Sequence, residues 1–148
     1  MKNEKKLNNK GFSLVELIIV IAIMAVLIGV LAPQYMKYVE RSRNSTDRDN
    51  AAAIESAMMV WGSETIIPAG ETAFVADTTG TVVTVDSTGL SVGTGTNQAA
   101  ITSALKNAGI PTGAATKCAS RTAWTSYTVT VKVNSDGTVT VTNSFPTT

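Results

Sequence analysis

A chain of 148 residues can form one modest domain but not two substantial ones. It contains no histidine and one cysteine, Cys118, which excludes histidine-dependent catalysis, an internal disulfide and a cysteine-based metal cluster. The formal net charge is +1, but four lysines and one glutamate lie in the first eleven residues, which leaves eight basic and ten acidic side chains for the rest. That balance predicts no global attraction for nucleic acid or anionic lipid, and we expect no specific nucleic-acid partner.

A long apolar run follows the basic start. Residues 17–32 carry no charged or strongly polar side chain, and residues 12–32 supply about the 20 residues that a membrane-spanning helix requires. The run ends at Pro33 without the small-residue cleavage site of a secretory signal, so we expect the segment to remain attached as an anchor. Basic residues flank the run on both sides, and the compact lysine group before it favours a cytoplasmic amino end.

Glu16 is an isolated acid at the start of this run. A carboxylate in lipid costs roughly 2.5 to 3.5 kcal/mol, so it requires either water or a partner. It can extend to the membrane interface, or it can pair with the ammonium group that cleavage after Gly11 would leave on Phe12. Phe12 and Glu16 share a helix face, and a carboxylate in the first turn suits the helix dipole. The ammonium can equally belong to a neighbouring copy, in which case the attraction would fix the axial register between chains.

The stretch KGFSLVE at residues 10–16 resembles the class III signal of type IV pilins, in particular type IVa pilins, and of the related pseudopilins of type II secretion. The similarity continues through the apolar run as far as Tyr38. It implies that a prepilin peptidase cuts after Gly11 and N-methylates the new amino-terminal Phe12. It also implies that Glu16 pairs with a neighbour's amino group during assembly.

Helical periodicity continues beyond the anchor. Apolar residues recur at spacings of three and four through residues 35–63 and include Ile54, Met58 and Trp61, which predicts one amphipathic face. Residues 41–49, a charged stretch between the anchor and these apolar residues, are interpreted as a solvated helix surface where the helix leaves the membrane. A single helix over residues 12–62 would be roughly 75 Å long, so its amino half must protrude from any domain of this size.

Gly29 and Pro33 interrupt the apolar half of this helix. Proline removes the hydrogen bond to the carbonyl of Gly29 and clashes with that turn, and glycine weakens the helix further. We therefore predict a bend or local melting between these two residues. In filaments of the family that this chain resembles, such a bend is thought to permit stretching. A fixed kink without mechanical use would have the same sequence pattern.

Short strands and turns make up the rest of the chain. Residues 81–85 and 90–92 predict one hairpin, and residues 127–133 and 138–142 predict a second, which turns at an Asn-Ser-Asp-Gly sequence. Residues 97–108 predict a helix that starts at an asparagine and is followed by Gly109. The predicted fold class is α+β: one long amino-terminal helix packed across a small antiparallel sheet, which is also what the resemblance implies.

No catalytic, metal or cofactor site is predicted, and the chain is not expected to be an enzyme. Cys118 is interpreted as a buried or incidental thiol, because no histidine can activate it. The spacing of the three aspartates Asp77, Asp86 and Asp136 matches no calcium-binding loop. Asp86 and Asp136 lie at positions where turns favour aspartate. Many pilins close a carboxyl-terminal loop with a disulfide, which one cysteine cannot form.

The resemblance and the patterns above divide the chain into four segments. Residues 1–11 are the leader, residues 12–34 the membrane-spanning and filament-core part of the long helix, residues 35–63 its amphipathic part, and residues 64–148 the sheet domain. The resemblance implies a structural subunit, held in the membrane and then polymerised with copies of itself into an extracellular pilus for adhesion, aggregation or motility. Its partners would be the prepilin peptidase, the pilus assembly machinery, the membrane before assembly, and surfaces or other cells. The alternatives are a pseudopilin of a type II secretion or DNA-uptake system and a membrane-anchored binding module.

Overall fold

The computed structural model describes residues 11–64 and 66–146. Along the chain, helix α1 is followed by two strands, a short helix and two further strands: α1 (Leu14–Ser63), β1 (Asp77–Asp86), β2 (Leu90–Val92), α2 (Gln98–Asn107), β3 (Ser126–Val133) and β4 (Val139–Ser144). The chain forms two compact units, one that ends at Tyr38 and one that begins at Val39. Most of the predicted leader, residues 1–10, lies outside the described residues.

The described part of the first unit consists of residues 11–13, which belong to no helix or strand, and the first half of α1. Every residue from 11 to 38 is exposed, including the whole apolar run. This helix is long and apolar enough to cross a membrane, and it lies near the amino terminus. Its apolar side chains therefore face outward and require lipid or other protein to cover them.

Gly29 and Pro33 both lie inside the helix, which is continuous through them. No local melting is present at these residues in the isolated chain. The predicted bend stays a prediction, because a proline can deflect a helix without ending it.

The second unit contains a four-stranded antiparallel sheet in the order β2-β1-β3-β4. Val83 lies opposite Val129, and Val131 lies opposite Val141, so alternate valines of neighbouring strands share one face. Both predicted hairpins are present. The α+β fold class is confirmed.

The carboxyl-terminal half of α1 covers the apolar face of this sheet. Ile54, Met58 and Trp61 are buried, and their spacing places them on one side of the helix. They belong to one core cluster with side chains from the sheet and from α2: Val83, Val85, Ile101, Leu105, Tyr127, Val129 and Val131. The predicted amphipathic face is confirmed.

Helix α2 ends as predicted but begins differently. Gly109 adopts a positive φ of 71° after the helix, and the N–H of Ile110 returns to the carbonyl of Leu105 at 2.9 Å. Asn97 precedes the helix, but its side chain does not cap it. The amide of Asn97 instead binds both the N–H and the carbonyl of Val75 at 2.9 Å, which fastens the loop before β1.

The interpretation of residues 41–49 as a solvated surface is wrong for Asp47, which is fully buried. A second acid directly before this stretch, Glu40, is also largely covered, with 14% of its side chain exposed. Both carboxylates face the loop before β3. Local sequence does not reveal this burial, because the groups that cover the two acids come from residues far along the chain.

Candidate processing and assembly site

The peptide bond between Gly11 and Phe12 is exposed. Phe12 is 94% exposed, and among the described residues no atom beyond the chain neighbours lies within 4 Å of where a Cβ on Gly11 would be. Helix α1 begins at Leu14, so this bond precedes the helix and is not tied into its hydrogen bonds. A peptidase can thus approach the predicted cleavage bond without unwinding a helical turn.

Ser13 and Glu16 cap the start of α1. The Glu16 carboxylate accepts a hydrogen bond from the N–H of Ser13 at 2.9 Å, and the Ser13 hydroxyl accepts one from the N–H of Val15 at 3.4 Å. This arrangement is close to a capping box, in which a serine and a glutamate three residues later satisfy free N–H groups at a helix start. Sequence reasoning missed it, although the Ser-x-x-Glu spacing was visible.

Glu16 therefore has a role within its own chain as well as the predicted one between chains. One of its oxygens, Oε2, receives the Ser13 N–H, while Oε1 accepts no hydrogen bond within residues 11–64 and 66–146. A carboxylate has room for several donors. Capping and pairing with an amino group are thus compatible on one side chain.

The second unit contains a cluster that we call the carboxylate latch, formed by Glu40, Asp47 and the loop of residues 118–124. Glu40 Oε1 accepts hydrogen bonds from the backbone N–H groups of Arg121 at 2.7 Å, Thr122 at 2.8 Å and Ala123 at 3.4 Å. Converging N–H groups of this kind form an anion-binding nest. Here the anion is a side chain of the same molecule.

Asp47 holds the other part of the latch. Its carboxylate accepts hydrogen bonds from the backbone N–H groups of Ala119 at 2.6 Å and Ser120 at 2.9 Å, and from the indole of Trp124 at 2.8 Å. The thiol of Cys118 lies 3.3 Å from the same carboxylate and donates to it. These donors offset the cost of burying the charge of Asp47.

The latch shifts the acidity of two of its members. Hydrogen bonds from the Ser120 hydroxyl and then from the Thr122 N–H hold the pKa of Glu40 well below its usual range. Burial, followed by the hydrogen bond to Asp47, raises the pKa of Cys118 to about 12. The thiol is therefore a neutral donor at ordinary pH and a poor nucleophile, as expected for a structural cysteine.

The end of the described chain is fastened without a disulfide. The ring of Phe145 lies 5.0 Å from that of Trp124 and 5.1 Å from that of Tyr127, measured between centroids. The side-chain amide of Asn143 donates to Glu55 on α1 at 2.8 Å. Aromatic packing and this polar contact hold β4 and the residues after it against the core.

Each of the three scattered aspartates accepts hydrogen bonds from residues that closely follow it, Asp86 and Asp136 at hairpin turns and Asp77 at the irregular start of β1. Asp86 binds the N–H and hydroxyl of Thr88, Asp136 binds those of Thr138, and Asp77 binds the N–H of Gly80. The turn interpretation of Asp86 and Asp136 is confirmed. In residues 11–64 and 66–146, no group of three or more acidic or cysteine side chains is arranged to hold a metal ion.

Comparison with known proteins identifies the amino-terminal region. Residues 6–32 match the family described as the prokaryotic N-terminal methylation motif. Prepilin peptidase-dependent protein A of Clostridium perfringens (strain 13 / Type A) is 38% identical over 71 residues, which cover 47% of this chain and 51% of that protein. The type IV major pilin protein PilA of Myxococcus xanthus (strain DK1622) is 38% identical over 56 residues, which cover 38% of this chain and 26% of that protein. No solved structure matches the chain.

These similarities cover about half the length of the first relative and about a quarter of the second. The methylation motif contains Gly11, Phe12 and Glu16, and the exposed apolar helix lies directly behind them. The relative from Myxococcus xanthus is named a major pilin, which agrees with the expectation that this chain is a structural subunit and not an enzyme. The amino-terminal region of this chain is thus similar to that of type IV pilin-like prepilins, and the helix behind the motif is long and apolar enough to cross a membrane.

Proposed function

We propose that this protein is the structural subunit, and the major one, of a type IV pilus. In this proposal a prepilin peptidase cleaves it after Gly11 and methylates Phe12, and copies then polymerise into a filament on the cell surface. The observation that carries the proposal is an uninterrupted exposed apolar helix with a processing motif at its start and a compact sheet domain behind it.

The exposed helix supports polymerisation. The side chains of residues 14–36 are mostly apolar and exposed, and water is a poor solvent for them. Lipid covers such a surface before assembly, and a different face of the same helix in further copies covers it afterwards. Contacts between unlike surfaces of identical chains do not close on themselves and so generate open fibres.

Glu16 supports a defined register within the fibre. Its free Oε1 is available to the ammonium group that cleavage would create on Phe12 of a neighbouring copy. Opposite charges attract strongly where water is excluded, so this pair would select one axial offset between helices. The Ser13 cap would hold the carboxylate in place for that contact.

The relative named a major pilin favours a pilus subunit. The other relative is named only as dependent on prepilin peptidase. That name fits a pilus subunit and a pseudopilin equally well, because prepilin peptidases process both. The rival candidate is therefore a pseudopilin of a type II secretion or DNA-uptake system, which would share the processing and the anchor. A surface pilus would serve adhesion, aggregation or motility.

Mass spectrometry of filaments sheared from native cells tests the proposal. An abundant chain in the sheared fraction that starts at methylated Phe12 is the expected result. Processed chain that remains in the membrane, with none in the sheared fraction, would favour the pseudopilin and contradict the pilus.

Three variants separate the roles of Glu16. Glu16→Gln keeps an oxygen for the Ser13 N–H but removes the charge, Ser13→Ala weakens the cap but keeps the charge, and Glu64→Gln removes an exposed acid elsewhere on the chain. We expect a large loss of filaments for Glu16→Gln and little change for the other two. Normal filament yield from Glu16→Gln would refute pairing by charge.

A further inference from the structure

The two edges of the sheet differ in what covers them. At the β2 edge, the N–H of Leu90 donates to the carbonyl of Gly113 at 3.0 Å, and the N–H of Gly113 donates back at 2.7 Å. The carbonyl of Val92 accepts a hydrogen bond from the side chain of Gln98 at 3.4 Å. At the other edge, no backbone group among the described residues pairs with the outer side of β4.

The turn before β4 shows which of its backbone groups point outward. The N–H of Asn134 donates to the carbonyl of Thr138 at 2.9 Å, and hydrogen-bonded pairs alternate with other pairs along an antiparallel ladder. The register of β4 against β3 continues from there without a shift, so residues 140, 142 and 144 are bonded to β3. The N–H and carbonyl groups of Val139, Val141 and Asn143 therefore point away from the sheet. We call these groups the β4 edge.

The β4 edge lacks the devices that usually protect an edge strand. Natural sheets protect such strands with charged side chains, prolines or bulges. The sequence of β4, VTVTNS, contains neither a charge nor a proline, and its ladder with β3 has no bulge. Free N–H and carbonyl groups on a regular strand are a template for a further strand.

An exposed apolar side chain lies on the helix face beside this edge. The side chain of Asn143 donates to Glu55 of α1 at 2.8 Å, which places that face of the helix next to β4. Met59 follows Glu55 by four residues, so it lies on the same face, and it is 45% exposed. A partner bound along the β4 edge would cover part of this apolar surface.

We propose that the β4 edge pairs with the β4 edge of a second copy of this chain, antiparallel and centred on Val141. In this register Val141 lies opposite its counterpart, and Val139 lies opposite Asn143 of the other copy. All three residues of each edge then meet outward-pointing groups, and the three pairs exchange about six hydrogen bonds, two for each pair. Because the strand is uncharged, two identical strands meet without repulsion, which favours a second copy as the partner.

The symmetry of this contact decides which copies it can join. A two-fold axis relates the two strands, so the contact closes as a pair and cannot by itself build a fibre. The axis is perpendicular to the sheet, so the part of α1 that covers the sheet runs in opposite directions in the two copies. Subunits of one filament share one direction, and the pairing would therefore join copies from different filaments. Isolated chains can form the same contact, so the proposal goes beyond the pilus function and does not require it.

Disulfide trapping tests the proposed register. Thr140 and Thr142 are exposed, and in this register Thr140 lies opposite Thr142 of the other copy, with Cα atoms about 4.5 Å apart. Full-length chains with Cys118→Ser and either Thr140→Cys or Thr142→Cys are mixed in detergent and oxidised, and one chain is labelled with nitrogen-15. Intact mass spectrometry then separates the mixed dimer from the two homodimers. We expect the mixed disulfide to exceed each homodimer by about fivefold, because like positions lie on a diagonal, near or beyond the limit for a disulfide.

The matched control is a mixture of Thr102→Cys and Thr112→Cys chains in the same Cys118→Ser background. Both threonines are exposed, and Thr102 lies on α2, which packs beside β2 at the opposite edge. This mixture should show only the cross-linking caused by random collision. A mixed Thr140–Thr142 disulfide no more abundant than this control, or than its own homodimers, would overturn the proposal. Efficient cross-linking of either variant with itself would overturn the register centred on Val141.

Discussion

The hydroxyl of Ser120 donates a 2.7 Å hydrogen bond to Glu40 Oε1 across eighty residues of sequence. The same oxygen accepts three backbone N–H groups, so one side-chain atom of α1 fixes the loop that leads into β3. Loss of that oxygen would leave several donors without a partner. The latch should therefore contribute measurably to the stability of the second unit.

Glu40→Ala should lower the free energy of unfolding of the second unit by about 1 to 3 kcal/mol, because it leaves partly buried donors unpaired. The measurement is denaturant unfolding of the full chain in detergent, followed by tryptophan fluorescence, since Trp124 contacts the latch. Glu64→Ala is the control and should change the value by less than about 0.5 kcal/mol. Equal effects of the two variants would contradict a stabilising latch.

The latch should make stability depend on pH in the acidic range. The pKa of Glu40 is lowered in the folded chain from an ordinary value of 4.5, so its contribution is complete above that pH and is lost as the pH falls below it. Below pH 4.5 the unfolded chain binds a proton that the folded chain does not. We therefore expect the unfolding free energy of the unmodified chain to fall more steeply than that of Glu40→Gln, by up to about 1.4 kcal/mol per pH unit. If the unfolding free energies of the two chains depended on pH in the same way, the folded chain would not lower the pKa of Glu40.

Two adjacent methionines provide a matched test of the core. Met58 is fully buried against the sheet, whereas Met59 is 45% exposed on the other side of α1. Met58→Ala should cost about 2 to 5 kcal/mol of stability, because it removes buried methylene groups and leaves a cavity. Met59→Ala should cost far less. Similar losses of unfolding free energy for the two variants, measured by urea unfolding, would contradict the finding that Met58 and not Met59 faces the sheet.

Cys118 should react slowly with alkylating reagents. Burial and the adjacent Asp47 raise the pKa of its thiol to about 12, so little thiolate is present at pH 8. Asp47→Asn removes the neighbouring negative charge and should accelerate reaction with iodoacetamide, which mass spectrometry can follow. Alkylation of the unmodified chain at the rate of a free cysteine would contradict the contact between the thiol and the carboxylate.

Local patterns predicted most of the secondary structure. Alternating valine and threonine predicted the strands, and apolar spacing predicted that Ile54 and Met58 face the core, because burial on one side imposes these periods. The observed β1 begins earlier than predicted, at Asp77. Its extra residues include Gly80 at a positive φ and a shift in register against β3, which break the alternation.

The latch could not be predicted from sequence. Its donors are backbone N–H groups, which every residue except proline has, so no residue type marks the loop as a partner for Glu40 or Asp47. The cap at Ser13 is different, since its spacing to Glu16 is a known helix-start signal. That signal overlaps the processing motif, in which pairing with an ammonium group already accounts for an acid at this position.

A disulfide would fasten this loop only through two cysteines, whereas the latch fastens it mostly through backbone atoms. Thr122 and Ala123 contribute their N–H groups to Glu40 and not their side chains. Replacement of Thr122, which is exposed, by almost any residue other than proline would leave the donor in place. The outer surface of the loop can thus differ in chemistry between variants of the chain while the attachment beneath it stays the same.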